Sequence, residues 1–159
     1  GRSLMPALSG GGGRDMALYG IFGGAINATD GRHSYFRYPA DMEAQALFEY
    51  TLMPQHSTTP FTCDELRGAE LHPGFGFTRG APVLRIPATS DAKRPPMQGG
   101  GFEETETVLY DLVADPGQKH PVQDAGTEAR FLGAVAAEMS RHEAPAELFA
   151  RFGMTSAAA

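Results

Sequence analysis

In Ile26-Asn27-Ala28-Thr29-Asp30-Gly31-Arg32-His33-Ser34-Tyr35-Phe36-Arg37-Tyr38, an Asp-Gly pair separates two runs rich in apolar and aromatic residues. A type I′ turn needs positive φ at both central positions, so Asp-Gly between such runs predicts a β-hairpin. A two-residue turn pairs Thr29 with Arg32, Ala28 with His33 and Ile26 with Tyr35. His33, Tyr35 and Arg37 then share one face with Ile26 and with Phe22 upstream. Pro39 ends the second strand. The first strand is the end of an apolar run that begins at Ala17-Leu18-Tyr19-Gly20-Ile21-Phe22. Gly20, Gly23 and Gly24 lack the strand-loop-helix setting and the Lys of a phosphate loop. They read as places of close backbone packing.

Downstream, Phe48, Tyr50 and Leu52 alternate with Glu49 and Thr51, which predicts a strand stopped by Pro54. Thr62-Cys63-Asp64-Glu65 is a capping box opening a short helix. Cys63 is expected in its first turn, half-buried. Val83 to Ile86 is a strand closed by Pro87, and Thr107 to Leu112 another, followed by a turn at Asp115-Pro116-Gly117. Residues 88–104, rich in Pro, Gly and charge, read as a long mobile loop. From Thr127 the period becomes helical: Phe131, Leu132, Val135, Ala136 and Met139 form one stripe. Pro145 opens a second short helix carrying Leu148, Phe149 and Phe152, and Gly153 closes it. The expected fold is α+β: a small antiparallel sheet of about four or five strands, with C-terminal helices on one face.

The chain has 159 residues, 42% hydrophobic and 20% charged, enough for one domain with a core. Its net charge of −6 opposes binding to a nucleic-acid backbone. No apolar run approaches the ~20 residues of a membrane span. Cys63 is the single cysteine, so neither an internal disulfide nor a cysteine zinc cage can form. Eleven of the 13 basic residues are Arg, a bias that carries no functional weight. The start at Gly1-Arg2-Ser3-Leu4 has no apolar signal core and no initiating Met, which suggests a fragment or a processed chain.

Several segments, in order, resemble the C-terminal region of bacterial arylsulfatase-like enzymes of the alkaline phosphatase superfamily. They are Gly1-Arg2-Ser3-Leu4-Met5-Pro6-Ala7-Leu8; Ala17 to Gly24 with Asn27 to Arg32; Glu49-Tyr50-Thr51-Leu52-Met53-Pro54-Gln55-His56; Phe75-Gly76-Phe77-Thr78-Arg79-Gly80 leading to Val83-Leu84-Arg85-Ile86; and Leu109-Tyr110-Asp111-Leu112 with Asp115-Pro116. The resemblance implies a C-terminal subdomain over residues 17–154, a linker over 1–16 from a missing N-terminal catalytic domain, and a flexible tail over 155–159. It implies that the parent hydrolyses small sulfuric esters with calcium and a formylglycine made from the Cys of a Cys-x-Pro-Ser-Arg motif. That motif is absent here: Cys63 has neither Pro nor Arg at the needed spacing, and no Asp-Asp pair occurs. The chain alone is therefore expected to be inactive, walling the substrate cleft and stabilising the missing domain. This region does not distinguish sulfate from phosphoester or phosphonate substrates. A non-catalytic structural or binding module is the rival reading.

Three residues are candidates for substrate contact. His56 follows a strand in the most family-specific segment, where a loop can face a cleft; its plain reading is a surface or capping histidine. His33 and Arg37 share a strand face, and Arg37 can grip an anion through its guanidinium fork; the plain reading is a structural ion pair or a solvated face. His72, His120 and His142 read as surface residues. Asn27-Ala28-Thr29 matches a glycosylation sequon, but beside a tight turn a structural role fits better.

Overall fold

The computed structural model describes residues 3–53, 55–56, 58–89 and 105–155. The expected loop over 88–104 lies outside these residues from position 90 onward, as do Pro54 and the tail from position 156.

The fold is α+β, with two antiparallel sheets of four and three strands and helices at the C-terminal end. The larger sheet runs β1 (Ala17–Gly20), β2 (Ile26–Thr29), β3 (His33–Arg37) and β7 (Val108–Asp111), in that spatial order. The smaller has β4 (Phe48–Thr51) and β5 (Glu70–His72) on either side of β6 (Val83–Pro87). The expected single sheet thus becomes two. Alternation within a strand shows which side chains share a face; it does not name the partner strand, and β3 pairs with β7, not β4.

The hairpin forms with its register moved by two residues: Thr29 pairs with Ser34, Ala28 with Tyr35 and Ile26 with Arg37. Side chains close the longer loop. Thr29 Oγ1 accepts from Gly31 N at 3.1 Å and donates to His33 O at 2.7 Å. Asp30 Oδ1 accepts from the amides of Arg32 and His33 at 2.9 and 2.7 Å. Such side-chain caps compete with a two-residue turn, and here they win. A shift of two conserves parity, so His33, Tyr35 and Arg37 still share a face with Ile26. Phe22 does not join them, because the run from Ala17 folds back at Ile21 to Ala25 as a second hairpin. Gly24 N donates to Ile21 O at 3.1 Å in that turn. A Cβ on Gly20 would lie 2.7 Å from Ala25 O, so the strands approach there as only Gly permits.

Ala28, Tyr35 and Leu109 of the larger sheet pack against Phe131, Val135, Met139 and Phe149. Besides a single turn α1 (Met5–Leu8) and α2 (Cys63–Leu66), the α-helices among the described residues are α3 (Ala125–Arg141) and α4 (Ala146–Arg151). Asp124 caps α3 by accepting from the amides of Gly126 and Thr127, so the helix starts two residues before Thr127. Phe131 stacks on Tyr35 with ring centroids 5.7 Å apart. Pro145 precedes α4, and Gly153 ends it with φ 64°, a left-handed stop. Arg151, 1% exposed, donates to Gly23 O at 3.0 Å and Gln45 O at 3.3 Å. It ties α4 to the β1–β2 turn and to the chain entering β4.

Candidate functional site

His33 and Arg37 lie on the face of β3 that carries α3 and α4. The His33 ring packs edge-on against Phe131 at 6.4 Å, and its Nδ1 is 3.4 Å from Asp30 Oδ2. Arg130 Nη2 donates to the same oxygen at 2.5 Å. Burial raises the Asp30 pKa, but the His33 amide, the Arg130 guanidinium and the Arg32 amide together outweigh it and hold the carboxyl well below the usual carboxylate range. Arg37 Nε donates to Phe152 O at 2.9 Å, at the end of α4. Both residues therefore join the sheet to its helices, and Tyr35 stands between them in the core.

His56 stands apart, beside the smaller sheet. Its Nε2 donates to Glu65 Oε1 at 2.7 Å, and its ring lies 4.3 Å from that of Phe61. Glu65 is held from its far end: Thr62 N and Oγ1 donate to Oε2 at 2.7 and 2.8 Å, completing the capping box of α2. Those Thr62 bonds first, then His56, lower the Glu65 pKa to about 2. The His56 side chain keeps 39% exposure against 15% for His33, so it is the more open of the two histidines. Cys63 is exposed where partial burial was expected, because the four-residue α2 buries none of its side chains.

Two arrangements escaped the sequence reading. In the first, the Tyr50 hydroxyl donates to Glu147 Oε1 at 2.5 Å and accepts from Arg85 Nε at 3.1 Å. Arg85 also reaches Glu70 and lies over the Phe48 ring. Burial, then the bond to Glu147, raise the Tyr50 pKa. His72 is not a plain surface residue: its ring stands 5.3 Å from Tyr50 and 5.0 Å from Phe75. This network fastens α4 to the smaller sheet. Its charges satisfy one another, which leaves no cation free for an anionic ester.

The second lies on the far face of the larger sheet. Tyr19, Phe36 and Tyr110 form a row of edge-to-face rings at 6.1 and 6.0 Å, and Tyr19 Oη and Ser34 Oγ are 2.7 Å apart. At one end is an apolar cleft of ≈ 400 Å³ along Gly20, Ile21 and Ala25, with Asn27 in it. At the other is an open trough of ≈ 980 Å³ along Tyr110, Glu106, Gln118 and Lys119; Phe36 and Tyr38 border both. Asn27 sits within β2 and is 9% exposed, which agrees with a structural reading of the sequon. Alternating Phe36 and Tyr38 were the signal available in sequence, but either face of β3 could have been the core.

Among the described residues no three His, Cys, Asp or Glu side chains come together in a way that could hold a metal ion. No helix among them is long and apolar enough to cross a membrane. Compared with family models, curated proteins and solved structures, the chain matches none.

Proposed function

We propose that this chain is the C-terminal portion of a sulfuric-ester hydrolase and packs against a catalytic domain whose substrate cleft it helps to wall. The observation that carries the reading is the unequal treatment of the two faces of the larger sheet. One face is covered by α3 and α4; the other carries the Tyr19–Phe36–Tyr110 row and two clefts. A sheet apolar on both faces calls for a second layer. The ordered family-like segments support the ester chemistry; apart from Gly1–Leu8 and Phe75–Gly80, they include strands of the two sheets. In this reading the catalytic domain contributes the formylglycine nucleophile and the calcium, and the small sulfate ester binds between the two parts. In this reading His56, the more exposed of the two histidines, is the candidate to touch it, while His33 and Arg37 keep the wall in shape.

The coding sequence upstream of Gly1 tests the proposal directly. A Cys-x-Pro-Ser-Arg motif is expected there. A Thr or Ser nucleophile among zinc-type ligands would move the reading to a phosphoester or phosphonate hydrolase, and no upstream domain would overturn it. The chain by itself, with or without calcium, is expected to leave an aryl sulfate intact. Turnover abolished by a substitution within this chain would refute the division of labour.

A further inference from the structure

β5 ends at His72, and the connection to β6 begins Pro73-Gly74-Phe75. Pro73 has no N–H, so the first amide beyond the strand is that of Gly74, and it donates to His72 Nδ1 at 3.1 Å. An imidazole accepts at Nδ1 only while that nitrogen is unprotonated, so the bond holds the ring as the neutral tautomer with its proton on Nε2. The imidazolium carries a proton on both nitrogens. It would face the Gly74 amide donor to donor, and turning the ring over brings no acceptor back.

The rest of the connection is built on that first bond. Gly74 lies at φ 93°, and a Cβ there would stand 2.3 Å from Ala81 O and 2.4 Å from Thr78 Oγ1, so its backbone is pressed against the returning limb. Thr78 Oγ1 accepts from Phe75 N at 3.0 Å and lies 2.9 Å from both Phe75 O and Ala81 O. The Phe75 ring sits 5.2 Å from Tyr50 and 5.0 Å from His72, and Phe77, 69% exposed, stacks on it at 5.1 Å. Residues 73–82 are thus braced as one piece, and His72 seats that piece on the smaller sheet. The pairing of His72 with Val83 is made by the backbone and does not depend on the ring.

The charged and titratable groups around the ring are engaged with one another. Tyr50 of β4 bonds to Glu147 of α4 and to Arg85 of β6, and Arg85 also reaches Glu70 of β5. Glu143, in the turn between α3 and α4, accepts from Gly76 N at 2.6 Å and tethers the connection from the other side. The geometry points to the β5–β6 connection being a pH-sensitive flap, seated on neutral His72 and released when the ring takes a proton. The bond to Gly74 is present while the ring is neutral and is lost as pH falls, in the interval of about pH 5 to 8 where histidine side chains change charge. Release takes Phe75 off Tyr50 and leaves the ladder beneath in place. It involves no ester chemistry, so it stands apart from the proposed function.

Ring and amide NMR on the full chain test it. At about pH 8 the ring nitrogens should show Nδ1 bare and Nε2 protonated. From there to about pH 5, exchange protection of the Gly74 and Phe75 amides should fall about tenfold, the worth of roughly one hydrogen bond, in step with the ring's titration. Amides of the β4–β6 pairing should keep theirs. In His72→Asn the side-chain oxygen accepts from the amide two residues on and does not titrate, so Gly74 should stay protected throughout. In Glu143→Gln, which keeps an acceptor for Gly76, the fall should persist. A proton on Nδ1 at about pH 8, a ring still neutral at about pH 5, or protection that ignores the ring's titration overturns the inference. So does the same fall in folded His72→Asn, which puts the sensor elsewhere, or its loss in folded Glu143→Gln, which makes Glu143 the sensor. The wild-type tautomer and titration decide even if a variant folds poorly.

Discussion

Replacing Asp30 with Ala should destabilise the protein more than a loop residue ordinarily does. Its carboxylate accepts from the amides of Arg32 and His33 and from the Arg130 guanidinium, and its side chain is only 15% exposed. Loss of a cap costs about 1 kcal/mol, and hydrogen bonds to a charged group are worth about 1.5–3 kcal/mol. Arg130, half exposed, recovers water on losing its partner, so the expected loss is about 2–3 kcal/mol. For a chain of this size that lowers the thermal midpoint by roughly 4–12 °C. Asp30→Asn keeps an acceptor for the amides and should lose about 1 kcal/mol. Urea melts at pH 7 measure both. The acid limb supplies a further check. The folded-state pKa of Asp30 lies below its ordinary 3.8. Its contribution is therefore complete above pH 3.8 and disappears as pH falls through the lower folded value. The gap between wild type and Asp30→Ala should close over that interval. A loss under about 0.5 kcal/mol at pH 7, typical of surface sites, would refute the reasoning, as would a gap that ignores acid.

Phe131→Ala removes the ring stacked on Tyr35 and should cost about 3–5 kcal/mol in denaturant melts; less than about 1.5 would mean that the core collapses around the cavity. Tyr50→Phe removes the hydroxyl between Glu147 and Arg85 and should cost about 1–2 kcal/mol. Because burial and Glu147 raise its pKa, Tyr50 should ionise above pH 10 in an ultraviolet titration; a Tyr50→Phe difference spectrum complete below pH 10 contradicts the network. His56→Ala should cost under about 1 kcal/mol of stability, since its partly exposed pair with Glu65 is worth no more. In the longer enzyme of the proposed function it should lower kcat/KM by about one to two powers of ten, ~1.4–2.8 kcal/mol. Unchanged kinetics beside a lowered midpoint, on one preparation, would assign His56 to structure alone.

What could be read in advance was local. The Thr62–Glu65 capping box, the α3 stripe and the parity of the Ile26–Arg37 hairpin follow from neighbours in sequence, and all are present. The hairpin's closure was missed because Asp-Gly offers a two-residue turn, while Thr29 and Asp30 satisfy the same amides through their side chains. Pairings across long stretches of chain were not legible. Nothing near β4 says that β6 is its partner, and nothing near Arg151 says that it will be buried against Gly23 and Gln45. A late-helix arginine ordinarily reads as a surface cation; this one is 1% exposed. The Tyr50–Glu147 bond joins residues 97 apart and has no local signature.

The candidate residues show the same limit in sharper form. The odd positions of β3 hold His33, Tyr35 and Arg37; the even ones hold Ser34 and Phe36, with Tyr38 just beyond the strand. Aromatic residues occupy both faces, so strand alternation cannot tell which the helices will cover. Had α3 chosen the even face, His33 and Arg37 would line the open side and fit an anion. The helices cover the odd face, where Tyr35 meets Phe131, and both basic residues take up bonds to Asp30 and to the end of α4. The even face keeps its rings and its cleft. A strand that carries apolar surface on both sides belongs in the middle of three layers. α3 and α4 supply one outer layer, and in the proposed function the catalytic domain supplies the other.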